Sequence, residues 1–264
     1  MYHAQTNDCV GGRIVKLAYI VKKAKRIKEK LLELIFPPLC SACDEPTGNS
    51  DALCPDCLEK YAAEQRMKCR TCRLTAEECS CSIGNGVCGL ICSTFYTHYY
   101  SDSDRVTEKL LFRLKRERDD KLCDFFAREA SAKIMKYIKQ TKTDTEECIV
   151  TYPPRSEKGI LKYGFDHAKL VAAGISHYTG IPLAVTLIRD GGEEQKTLAG
   201  NDRLQNVRDS LRIYRKFDAH GLTVFLFDDI VTTGATLGTA VSLLKEAGAA
   251  VVIPVSVART ENRT

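Results

Sequence analysis

The 264-residue sequence predicts an α/β protein: a parallel sheet with flanking helices, preceded by a small metal-stabilised module. Three observations carry this prediction. From about residue 103 onward, β-branched apolar runs alternate with helix-period segments, the pattern of parallel strands joined by crossover helices. Ten of the thirteen cysteines lie between Cys40 and Cys92. An apolar run from Leu222 closes on Asp228-Asp229, followed by a threonine-glycine turn that opens another helix-period segment.

The elements follow in chain order. Residues 1–36 hold apolar positions at three-and-four spacing (Leu17, Ile20, Val21, Ala24, Ile27, Leu31, Leu34, Ile35), so one long amphipathic helix is expected, stopped by Pro37-Pro38. Eight Lys or Arg against Glu29 between Arg13 and Lys30 make its polar face strongly cationic. Such a face suits nucleic acid or an anionic membrane surface, and equally an ordinary solvated face. Residues 37–92 are too poor in apolar runs for a normal core and form the cysteine module; residues 93–264 form the α/β domain. Within that domain helices are expected over 103–115, 121–139, 165–179 and 235–247, and strand-like runs over 148–152, 181–188, 224–227 and 251–257.

Composition bounds the function. At 44% hydrophobic and 28% charged, the chain supports one medium core and a satellite, and disorder is excluded as its overall state. A net charge of +5 is too modest to point to nucleic acid by itself. No apolar run approaches the ~20 residues of a membrane span. The first 30 residues lack the pattern of a secretory signal, so a cytoplasmic protein with reduced thiols is expected.

Reduced cysteines at metal-ligand spacing point to zinc. Cys40-x2-Cys43 with Cys54-x2-Cys57 forms one quartet, and Cys69-x2-Cys72 with Cys79-x-Cys81 forms a second, in which Cys88 or Cys92 is an alternative ligand. Four thiolates close a tetrahedral site, which makes both zincs structural; removing them is expected to unfold the module before the α/β domain. Gly84-x-Gly86-x2-Gly89 satisfies a dinucleotide fingerprint but lies inside the cysteine module, away from the strand and helix that fingerprint requires. The sequence also contains no Gly-Lys-Ser or Gly-Lys-Thr, which excludes a P-loop.

The remaining phosphate candidate is the turn after Asp229. Ligands of open parallel sheets bind past the carboxyl ends of strands, and successive amides at a helix start form an anion nest. Thr232, Thr233 and Thr236 add hydroxyls, while Gly234 and Ala235 leave room. The carboxylates of Asp228 and Asp229 suit ribose hydroxyls or Mg2+. Together these groups describe a seat for a phosphorylated ribose.

This segment resembles the 5-phosphoribosyl-1-pyrophosphate (PRPP) motif of type I phosphoribosyltransferases. With the cysteine module, the chain resembles the ComF family, a double zinc ribbon followed by a type I phosphoribosyltransferase-like domain, over about residues 35–260. Supporting pieces are Phe36-Pro37-Pro38-x-Cys40, Leu114-Lys115 before Asp119-Asp120, Tyr152-x-Pro154-Arg155, Gly164-Phe165-Asp166 and Gln195-x2-Leu198-x4-Arg203-x2-Asn206. The resemblance implies that Asp228 and Asp229 hold the ribose hydroxyls and that Thr232–Thr236 hold the 5′-phosphate. It implies that Tyr152, Pro154 and Arg155 contact pyrophosphate, and that a hood over 191–206 brings Arg203 to the leaving group. It further implies a Mg2+-dependent transferase with a link to DNA uptake, so that competence proteins and single-stranded DNA join PRPP as expected partners. The alternative is a module that binds PRPP, nucleotides or single-stranded DNA without turnover. Where many family members have Gly-Phe-Asn-Gln, this chain has Gly164-Phe165-Asp166-His167. That change puts a pH-responsive imidazole at the helix start.

Overall fold

The computed structural model describes residues 37–47, 51–81, 87, 89–96, 105–189 and 210–260. The expected basic helix, Arg203 with the 191–206 segment, Cys88 and most of the Gly84–Gly89 stretch lie outside the described residues. Four strands form one parallel sheet in the order β1-β6-β5-β2: β1 (Ile91–Tyr96), β2 (Cys148–Thr151), β5 (Thr223–Val231) and β6 (Val251–Thr260). A bridge between Val150 and Leu183 extends the β2 edge, and β3 (Leu187–Arg189) pairs antiparallel with β4 (Leu211–Ile213) as a separate ribbon. The apolar run over 181–188 therefore supplies a single bridge and a short ribbon strand in place of one full strand. β1 was hidden from pattern reading because Cys92, Ser93 and Thr94 interrupt its apolar residues; burial of that stretch, polar groups included, shows its true setting.

The helices are α1 (Pro55–Gln65), α2 (Val106–Arg116), α3 (Asp120–Thr141), α4 (Glu157–Tyr163), α5 (His167–Thr179) and α6 (Ala235–Glu246). The starts of α3, α4 and α5 are set by Asp119, Ser156 and Asp166, whose side chains accept from the amides of Leu122, Gly159 and Lys169. α4 was not expected from periodicity. Ser156 opens it and Gly164, at φ +78°, closes it, so seven residues are held by their caps and not by a buried face.

Adjacent positions of β5 face opposite cores, as a strand's two-residue period requires. Phe225 and Phe227 join α2, α3 and α5, while Val224 and Leu226 join α6. Each fully buried Phe or Leu contributes roughly 2 kcal/mol of apolar burial. The cysteine module enters both cores: Cys40, Leu53, Cys57 and Tyr61 belong to the first, and Cys69, Ala76 and Cys79 to the second. The two quartets thus reach opposite cores of one sheet. Polar ties reinforce this docking. Ser41 Oγ donates to Asp119 (2.6 Å), Arg113 to Asp44 (2.6 Å), and Lys133 and Lys136 reach Glu77 (2.9 and 2.6 Å). Residues of one 22-residue helix, α3, and of its cap serve both ends of the module. This shared packing argues for a different outcome from the expected early unfolding of the module, because Cys40, Cys57, Cys69 and Cys79 are core residues of the α/β unit.

Candidate functional site

The two halves of the cysteine module are built alike. In each, the first cysteine's amide donates to a carbonyl five residues on (Cys40 to Glu45 and Cys69 to Leu74, both 2.8 Å). The residue four places on returns its amide to that cysteine's carbonyl (Asp44 and Arg73, both 3.0 Å). Asp44 and Arg73 adopt the left-handed conformation, φ +61° and +62°, that closes such a tight turn. Burial would raise the Cys40 thiol, but amides of Cys54, Ala42 and Cys43 outweigh it and bring it to about 7; at Cys69 the amides of Cys72 and Thr71 do the same.

The four sulfurs of Cys40, Cys43, Cys54 and Cys57 lie within 4.8 Å of one another, as do those of Cys69, Cys72, Cys79 and Cys81. A Zn–S bond of about 2.3 Å puts tetrahedral sulfurs about 3.8 Å apart; Cys43 and Cys54 are 3.8 Å apart and Cys72 and Cys79 3.5 Å. The residues present therefore fit one structural zinc in each quartet. Cys92 is excluded as a ligand: its buried sulfur donates to carbonyls of Thr94 and Val257 and accepts from Ser256.

The second site follows from sheet topology. The chain leaving β5 returns through α6 to β6 on one side, whereas the chain leaving β2 returns through α5 to Leu183 on the other. Beyond Leu226 the tip of β5 loses its β2 partner, and the turns after β2 and β5 lie at the switch point, the position where such sheets bind ligands. Strand β5 runs to Val231, so Asp228 and Asp229 lie within it, not after it. Past them Thr232 and Thr233 are exposed, and Gly234 takes φ +74° at the N-cap of α6, whose first turn carries no acidic residue. That arrangement leaves helix-start amides for an anion.

The two acids have opposite surroundings. Asp229 is 4% exposed, and its Oδ2 lies 3.2 Å from both Lys115 Nζ and His167 Nε2. Burial would raise its pKa, but the imidazole and ammonium outweigh it and hold the carboxyl down at about 2. Asp228 is half-buried; loss of water and the neighbouring Asp229 charge push it up to about 7. Of the pair, Asp228 is the acid pushed toward its protonated form, because Asp229 is the one met by Lys115 and His167. Asp228 accepts a hydrogen bond from the amide of Asp229 (2.9 Å), and carboxylate oxygens of this kind can ligate Mg2+ or accept hydrogen bonds from a ribose diol.

The other expected residues are placed differently. Tyr152 is 6% exposed, with its side chain in the core. Pro154 follows it in the turn after β2. The Arg155 guanidinium donates to the carbonyls of Lys115 (2.8 Å) and Phe165 (3.2 Å) and lies over the Tyr163 ring, while its amide donates to Asp166 (2.9 Å). Arg155 thus joins the turn after β2 to the ends of α2 and α4. Sequence reasoning missed two cations. Lys115 was noted only as part of a Leu-Lys pair, and Arg189, at the end of β3, has its pKa lowered by burial while facing the charges of Asp228 and Asp166. Lys115 carried a faint signal, being a lysine on the apolar side of a helix beside Leu114.

The chain is similar to several known proteins. A phosphoribosyl transferase domain model matches residues 158–264. The chain is 24% identical over 217 residues to DNA utilization protein YhgH of Salmonella typhi, covering 81% of each. It is 26% identical over 230 residues to the protein of that name from Salmonella typhimurium, covering 83% of this chain and 96% of the relative. Among solved structures, the allosteric regulatory enzyme of purine biosynthesis is 29% identical with a TM-score of 0.29; the match covers 41% of this chain, which spans only 21% of that one. The purine phosphoribosyltransferase of Pyrococcus horikoshii Ot3 is 20% identical with a TM-score of 0.32, over 52% of this chain and 85% of that one. No helix among the described residues is long and apolar enough to cross a membrane.

Proposed function

We propose that this ComF-family chain, with its phosphoribosyl transferase domain and cysteine module, is a cytoplasmic protein that binds PRPP with Mg2+ and transfers the phosphoribosyl group to an acceptor in DNA utilization or uptake. The observation that carries the reading is the tip of β5 at the switch point of the sheet. There an acid pair, exposed threonine hydroxyls and a glycine-led helix start converge from the end of one strand. Asp228 and Asp229 hold the ribose hydroxyls, and the Thr232–Thr236 turn holds the 5′-phosphate. Tyr152, Pro154 and Arg155 form the turn facing pyrophosphate, with Arg155 fixing its shape through Lys115 and Phe165. Arg203, from the 191–206 segment, completes the leaving-group side. Mg2+ supplies positive charge to the departing pyrophosphate, and the chain's own cations add to it, so catalysis is electrostatic and needs no nucleophilic side chain.

Release of pyrophosphate from PRPP across a panel of acceptors tests this reading. Release that is Mg2+-dependent and lost on Asp228→Asn supports transfer. The second reading, a binding module without turnover, is favoured by the pairing of Asp229 with Lys115 and His167, which neutralises one acid inside the ligand-free chain. PRPP or single-stranded DNA bound with no pyrophosphate released would support that module.

A further inference from the structure

The two quartets differ in where their positive environment comes from. Cys54 is the N-cap of α1 and Cys57 lies in its first turn, so the first quartet sits at the positive end of a helix. Cys79 and Cys81 lie in irregular chain, with no helix at either among the described residues. In that place stands Arg259, near the end of β6. It is 2% exposed, and it donates from Nη1 to Cys79 O (2.9 Å) and from Nη2 to Cys81 O (2.6 Å). Among the described residues no carboxylate lies within ion-pair distance of it, and its Nε has no hydrogen-bond partner. A buried guanidinium without an anion is strongly unfavourable. The charge that would offset it is the metal quartet itself: a dication with four thiolates carries a net charge of −2.

The same strand end reaches the threonine turn. Arg259 is in register with Val231, and the next residue, Thr260, donates from Oγ1 to Thr232 O (2.7 Å). We propose that Arg259 is the counter-cation of the second thiolate quartet, and that β6 thereby ties the metal state of that quartet to the turn at Val231–Gly234. The inference rests on zinc occupying the second quartet and is independent of what binds at the tip of β5.

Zinc content of the full chain, release kinetics to a chromogenic chelator and amide hydrogen exchange test it, with Cys81→Ser marking the second zinc. Two zincs per chain are expected. Arg259→Met should release the second about 10- to 100-fold faster, the usual effect of losing a residue that supports a ligand, and leave the first unchanged. Arg259→Lys, which keeps the charge and is the gentler change, should restore part of the slow release. Thr260→Val should keep both zincs while exchange at Val231–Gly234 accelerates. Unchanged release in Arg259→Met, or Arg259→Lys no slower than Arg259→Met, would overturn the counter-cation role. Unchanged exchange in Thr260→Val would overturn the tie to the turn. A single zinc in the unsubstituted chain would overturn the proposal together with its metal premise, a result distinct from the others.

Discussion

Each cysteine quartet gathers four sulfurs within 4.8 Å, with backbone amides turned toward the first ligand of each. The acid pair of β5 is met instead by side chains from separate elements, Lys115 from α2 and His167 from α5. The quartets are set on turns that repeat hydrogen bond for hydrogen bond, and each offers four ligands of one kind to a single ion. Of the acid pair only Asp229 is ion-paired among the described residues, and its partners come from two separate helices, so a group binding Asp229 would compete with side chains the chain itself supplies. Four like ligands around one point suit a permanent ion, whereas an acid already paired by the chain suits a ligand that must compete for it.

The largest effect that sharpens the contrast is loss of the first quartet. Structural zinc is worth about 10–16 kcal/mol of apparent binding energy, as much as the entire stability of an ordinary domain. Because Cys40 and Cys57 lie in the core shared with Phe225 and α3, Cys57→Ser or chelation should unfold module and sheet in one transition by circular dichroism. Two separated transitions would break that picture.

Next come the acids taken singly. Asp229→Asn strands Lys115 and His167 and should destabilise the chain by roughly 2 kcal/mol. That is less than for a fully buried pair, because Lys115 is 41% exposed. Asp228→Asn should cost nothing at pH 8, since its charged form is disfavoured in the fold. The pH dependence separates them further. Asp229, held low at about 2, contributes stability present above the ordinary carboxylate value and lost as pH falls through about 2. Asp228, raised to about 7, makes the fold progressively less stable as pH climbs from about 4 to 7, and Asp228→Asn should abolish that decline in denaturant titrations. A modest effect is expected of Gly234→Ala, where a left-handed backbone at φ +74° costs an alanine about 1 kcal/mol, read as a lowered melting temperature.

How much of this was legible in the sequence depends on whether a signal was local. The cysteine spacings encode their own turns, so both quartets could be assigned before any coordinates. The order of strand, acids, turn and helix at 222–247 was equally local, and only the strand end moved, from Phe227 to Val231, because β6 goes on pairing past the acids. What pattern reading could not reach were contacts between distant segments. Lys115 and His167 meet Asp229 across 114 and 62 positions, and Arg259 meets Cys79 across 180. β1 was lost because half its buried residues are polar, Thr94 donating to the Glu64 carbonyl of α1 while the Cys92 thiol is satisfied by β6, and period-two hydrophobicity cannot register such contacts. The placement of Arg155 under carbonyls of Lys115 and Phe165 likewise depends on three elements meeting at one turn.

The central claim is that the tip of β5 and its threonine turn seat a phosphorylated ribose. Isothermal titration of PRPP with Mg2+ into the full chain, from pH 6 to 8, tests it most directly. Saturable one-site binding is expected, tightening as Asp228 ionises through about pH 7 and lost in the Asp228→Asn/Asp229→Asn double variant. Equal affinity in that variant, or no heat of binding at any pH in the unsubstituted chain, would contradict it.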